Sequence, residues 1–194
     1  MPHIVGKPLV HYAHGSGETL VWHLERLALS HLRLVFIPVK RTMPDLAMLA
    51  DVHIRPAMKG DLAKISRFLE DNGLPVFGVE GCVEDFVVAQ DRDGSWVGIA
   101  GLEVYGESGL LRSVAVDGRF RGVGQGRVLV NEMLKNAKSK GVRTVYLLTD
   151  NAEHYFSGLG FEAVDRKDVD EAVKASVEFG EMCASAVAMR KTLK

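Results

Sequence analysis

SVAVDGRFRGVGQGRVLVNEML, Ser113 to Leu134, sets Gly118, Gly122, Gly124 and Gly126 between an apolar run and a helix-patterned one. The order is strand, glycine-rich turn, helix. It aims several free backbone N–H groups and the positive end of a helix dipole at one spot. A phosphate or pyrophosphate fits such a spot without a cationic side chain, and glycine lets its oxygens approach the amides. Arg119 and Arg121 stand beside the turn. Two familiar phosphate loops are absent. A dinucleotide fingerprint from Gly122 needs glycine where Arg127 stands, and the only Gly-Lys pair, Gly6-Lys7, precedes Pro8. What remains is R-x-x-G-x-G: Arg121, Gly124, Gly126.

Outward from this turn, the pattern from Val52 onward is regular. VHIRPA reads as a short strand and GDLAKISRFLEDNG as a helix closed by Gly73. EDFVVAQ and SWVGIAGLEVYG read as strands joined at DRDG, and GLLRSVAV as the next strand. A helix from Gly126 closes at Gly141. VRTVYLLT is a strand, NAEHYFSGLG a short helix, FEAVDR a strand, VDEAVKASVEF helical, and SAVAMRKTL a final strand. Such alternation predicts an α/β (α+β) sheet covered by helices. Residues 1–51 differ and are read as a separate extension, upstream of a domain over 52–194. Five of the seven histidines fall there, no strand pattern stands out, and Leu20, Leu24, Leu27 and Leu34 suggest one helix face. Natural translation from Met48 is one expectation for this extension, and recruitment of a partner another.

The 194 residues carry a net charge of -1, with 47% hydrophobic and 25% charged residues. This balance gives no electrostatic case for nucleic acid or an anionic membrane. Cys82 and Cys183 show no metal-ligand spacing, and the histidines match no metal site, so none is expected. Glu25, Arg26 and Arg33 interrupt the most apolar N-terminal stretch, arguing against a spanning helix. A cytoplasmic setting is the expectation.

The turn, its preceding strand LLRSVAV and the downstream YLLTDNAEHYFSGLGF together resemble the GNAT (GCN5-related) N-acetyltransferases over about residues 52–194. The terminal stretches RKDVDEAVKASVEF and CASAVAMRK are similar to an arsenic-resistance-associated subgroup related to amino-acid (glutamate) N-acetyltransferases, although Ala184 stands where that subgroup has proline. The resemblance implies a mixed sheet with a splayed strand pair and acetyl-CoA as co-substrate. It implies transfer to the primary amine of a small amino-acid-like molecule, and a homodimer is compatible with it. Amides from Arg121, Gly122, Val123, Gly124, Gln125 and Gly126 would grip the pyrophosphate. Val114 and Val116 would meet the pantetheine arm, with Val114 N–H polarising the thioester carbonyl. Asn151 and Phe156 would contact the cofactor.

Phe156 stands where the family usually has a tyrosine acid, and Tyr155, one helical step away, turns about 100° from it. Glu103 is either the base or a solvent-facing carboxylate, because Leu110 occupies the alternative position for a base. Arg112, with Ser113, either clamps a substrate carboxylate or meets a structural Asp or Glu. Two further functions share these features: protein or peptide N-acetylation, and a non-catalytic acyl-CoA-binding module.

Overall fold

A computed structural model describes residues 21–27, 31–37, 51–182 and 185–194. Chain contacts divide it into two units, Met1–Asp45 and Leu46–Lys194. In the first, β1 (Val21–Leu27) and β2 (His31–Ile37) pair antiparallel in full register, from Val21 opposite Ile37 to Leu27 opposite His31. The helix face expected for Leu24, Leu27 and Leu34 is therefore corrected to a hairpin, while Leu20 lies outside the described residues. Two seven-residue runs containing Val21, Trp22, Val35, Phe36 and Ile37 lie three residues apart, a spacing that suits strand pairing. His3, His11, His14 and Cys183 lie outside the described residues.

The second unit is a seven-stranded mixed sheet flanked by helices. In chain order its elements are β3 (His53–Pro56), α1 (Leu62–Asp71), α2 (Val79–Cys82), β4 (Phe86–Gln90), β5 (Trp96–Tyr105) and β6 (Ser108–Val116). Next come α3 (Gln125–Ser139), β7 (Thr144–Thr149), α4 (Glu153–Ser157), β8 (Glu162–Val164), α5 (Glu171–Lys174) and β9 (Val187–Thr192). The sheet order is β3-β4-β5-β6-β7-β9-β8. Only β6 and β7 run parallel; every other neighbouring pair is antiparallel. VDEAVKASVEF forms only the one turn of α5 before a π-helical turn at Glu178–Met182.

Alternation along the strands sorts side chains into two layers. Val87, Ala89, Val97, Leu102 and Leu111 pack with Leu129, Val130 and Met133 of α3 and Phe156 of α4. Phe86, Val88 and Ile99 point the other way, against Ile65 and Leu69 of α1 and Val79 of α2. On that second face, Leu110, Tyr146, Val169, Val173 and Phe179 form a further cluster. No helix among the described residues is long and apolar enough to cross a membrane.

Two departures from regularity shape the middle of the sheet. The β6–β7 ladder covers only Ser108–Leu110 against Thr144–Tyr146, so the two strands part beyond Leu110. In the β5–β6 ladder, Ile99 pairs with Ala115 but Gly101 pairs with Arg112, leaving Ser113 and Val114 opposite the single residue Ala100. This bulge places Ser113 at φ 55°, in the left-handed region. It also inverts the alternation. Upstream, Leu111 faces the α3 layer; downstream, Ala115 faces the α1 layer while Val114 and Val116 pack toward α3.

Candidate active site

The glycine turn opens onto a cleft of about 530 Å³ beside the parted strands. Its walls include Val114, Val116, Arg121, Gly122, Gly124, Gln125 and Gly126, together with Asn72, Leu74, Arg127 and Tyr155. Gly122 (φ 80°) and Gly124 (φ 93°) hold left-handed backbone that a side chain would strain. Gly124 is the N-cap of α3 and supplies no side-chain cap. The first amides of this 15-residue helix thus lack both an intrahelical acceptor and a capping side chain. At Gly126 any Cβ would come within 2.6 Å of the Tyr155 hydroxyl oxygen. The cleft combines backbone donors, a helix N-terminus and an apolar strand edge, which suits a phosphate-bearing chain with an extended tail.

Arg121 is a strut as well as a lining residue. Its Nε donates to the Val116 carbonyl at 2.8 Å and its Nη2 to Asn72 Oδ1 at 2.6 Å. This ties the turn to β6 and to the end of α1. Val123 is half-buried and Asn151 exposed, and neither lines the cleft. Phe156 is buried edge-on against Phe161 in the α3 layer, whereas Tyr155 lines the cleft. The placement expected for these two neighbours is therefore reversed. α4 packs its aromatic at 156 into the core, and the step of about 100° carries Tyr155 outward over Gly126. Burial raises the Tyr155 pKa above its ordinary value.

On the opposite face lies a second cavity of about 350 Å³, lined by Gly78, Cys82, Asp85, Glu103, Tyr105 and Ala175–Val177. Behind it Arg112 is fully buried. Its Nη1 pairs with Glu103 Oε1, and its Nη2 pairs with Glu178 Oε1 at 2.9 Å and donates to the Phe77 carbonyl. Tyr105 donates its hydroxyl to Glu103 Oε2. The clamp expected of Arg112 on a substrate carboxylate is corrected by this geometry, because two internal carboxylates already occupy the guanidinium. Ser113 takes part only through its Oγ, 3.4 Å from Arg112 Nε, at the bulge.

Burial works against charge on Arg112, but Glu178 and Glu103 outweigh it and its pKa is raised. Burial also raises Glu178, opposed by Arg112. The Cys82 thiol is pushed by burial up to about 11, leaving it protonated and a poor nucleophile. Burial and the bond to Glu103 raise Tyr105. No local pattern marks Glu178 or Phe77 as partners of Arg112, or Tyr105 as a partner of Glu103. The one available signal is the cost of an arginine within an apolar strand, which demands an anion without saying which.

Residues 83–163 match the family model described as an acetyltransferase (GNAT) domain. Over that stretch the chain resembles a GNAT domain. Curated relatives include an amino-acid acetyltransferase of Mycobacterium tuberculosis, 34% identical over 106 residues, covering 53% of this chain and 58% of the relative. Another, of Aeromonas salmonicida, is 28% identical over 116 residues, 57% of this chain and 26% of the relative. The chain therefore spans only part of the length of either. Among solved structures, N-acetylglutamate synthase from Neisseria gonorrhoeae complexed with coenzyme A and L-arginine has a TM-score of 0.63 at 20% identity. That match covers 74% of this chain and 33% of the synthase. A Mycobacterium tuberculosis protein solved with CoA also reaches a TM-score of 0.63, at 23% identity over 73% of this chain and 99% of its own. These structural matches show that the mixed α/β fold is shared with those proteins.

Proposed function

We propose that this chain transfers acetyl from acetyl-CoA directly to the primary amine of a small molecule. The carrying observation is the cleft in which the uncapped N-terminus of α3, the left-handed glycines and the opened edge of β6 converge. Acetyl-CoA supplies an activated thioester. The amides from Gly122 to Gly126 hold its diphosphate, and Val114 and Val116 offer backbone groups to its arm. Val114 N–H donates to the thioester carbonyl oxygen, stabilising negative charge as the amine nitrogen bonds to the carbonyl carbon. Glu103, on the cavity wall across the sheet, accepts the amine proton directly or through water. The carbon–sulfur bond breaks, and the thiolate takes its proton from water.

The test is a titration of the chain with acetyl-CoA by calorimetry, followed by free-thiol release across a panel of amines. Binding with turnover is expected, and Gly124→Ala is expected to weaken acetyl-CoA binding by about tenfold, the equivalent of about one hydrogen bond to a charged group. Binding without turnover on any amine or peptide would favour the acyl-CoA-binding module instead. Turnover confined to peptides would favour protein acetylation. A second reading, an amino-acid acceptor, is favoured by the names of the curated relatives, with glutamate or an arsenic-containing amino acid as candidates within it. Its carboxylate needs a cation other than Arg112.

A further inference from the structure

The cavity on the α1 face has a charge pattern that bears on the acceptor, provided the chain is an acetyltransferase as proposed. None of its described lining residues is a lysine, arginine or histidine, while Asp85 and Glu103 both line it. Lys140 meets this wall through its ion pair with Asp85. Arg112 reaches Glu103 from behind with no exposed side-chain surface, and its second nitrogen is taken by Glu178 and the Phe77 carbonyl. Three carboxylates thus stand against two cations. A protonated amine entering here meets a favourable field, and a carboxylate entering here meets like charge.

The rim is apolar. Val177 lines the cavity and Phe77 precedes the lining Gly78, and both side chains are about half exposed. Arg112 holds both walls at once, through the Phe77 carbonyl and through Glu178, the residue after Val177. Gly78 (φ 74°) lets the first wall pass, since a Cβ there would lie 3.2 Å from Arg112 Nη1. We infer that the acceptor is a small primary amine with an apolar body and no carboxylate, its nitrogen directed to Glu103 and its body held between Phe77 and Val177.

Matched acceptors test this in the full chain at saturating acetyl-CoA: phenethylamine against phenylalanine, isoamylamine against leucine, and leucinamide against leucine. The amine or amide is expected to exceed its amino acid in kcat/KM by about tenfold or more, the value of one unopposed charged contact. Amino acids equal to or better than their amines would overturn the inference while leaving the acetyltransferase reading intact. Silence of both sets despite acetyl-CoA binding overturns the inference, and silence across the wider panel of amines and peptides overturns the acetyltransferase reading as well. Glu178→Gln supplies an independent check, because it removes one of the three carboxylate charges beside the cavity while leaving Arg112 in place. The amine-to-amino-acid ratio is expected to fall in that variant. Partial unfolding cannot change the ratio, since both acceptors meet the same folded fraction, so an unchanged ratio would sink the charge argument.

Discussion

Arg112 shows how one residue sets the terms for several others. Its guanidinium neutralises Glu103 and Glu178 and holds a backbone carbonyl, all out of water. Removing one partner of a buried ion network leaves charge uncompensated, at a cost of about 3–5 kcal/mol. Arg112→Met is expected to lose that much stability in urea titration, more than Glu178→Gln, which leaves Arg112 paired with Glu103. A second residue-scale prediction concerns acid. Arg55 forks onto Asp61 at 2.7 and 3.0 Å, and this bond holds the Asp61 carboxyl below its ordinary pKa. A lowered folded pKa contributes stability above the unfolded value, about 3.9, which is lost as pH falls through the folded one. The wild-type urea midpoint should therefore drop more steeply below about pH 4 than that of Asp61→Asn. Glu178 carries the opposite sign: its raised pKa makes its contribution greatest in acid, fading as pH rises.

Elements were legible in the sequence where period and punctuation agreed. The helix from Gln125 to the turn at Gly141, the hairpin at Asp91–Gly94 and the strand before the glycine turn all arise from local residues. The bulge did not, because Ser113 carries no sign that its φ is positive; only pairing across β5 reveals it. The Arg112 partners were equally hidden, for Glu178 lies on a distant π-helical turn. The β1–β2 hairpin was missed because leucines at helical spacing outweighed the strand-forming residues between them. At this scale Gly98 is decisive: a Cβ there would lie 2.7 Å from both the Ala115 carbonyl oxygen and Leu129 Cδ1. Since backbone cannot yield as a side-chain end can, Gly98→Ala is expected to cost about 1–3 kcal/mol. Thermal denaturation would read this as a fall of a few degrees, and an unchanged midpoint would mean β6 is free to shift.

For the whole molecule, the division after Asp45 is informative. Among the described residues, the seven-stranded sheet, its clusters and both cavities are built from residues of the second unit. A chain shortened to Leu46–Lys194 is expected to unfold cooperatively and to bind acetyl-CoA with unchanged affinity, as measured by calorimetry. Loss of binding in the shortened chain would assign the first unit a part in the site. The interior of the second unit also divides unevenly. Buried charge is concentrated on the α1 face in the Arg112 network, the costlier arrangement.

Because Ser113 reverses which way β6 looks, the strand is two instruments joined end to end. Changes before the reversal retune what is chosen, and changes after it retune what is gripped, with little cross-talk between them. A lineage built on this strand could exchange one clientele for another while its handling of the shared donor passed down untouched.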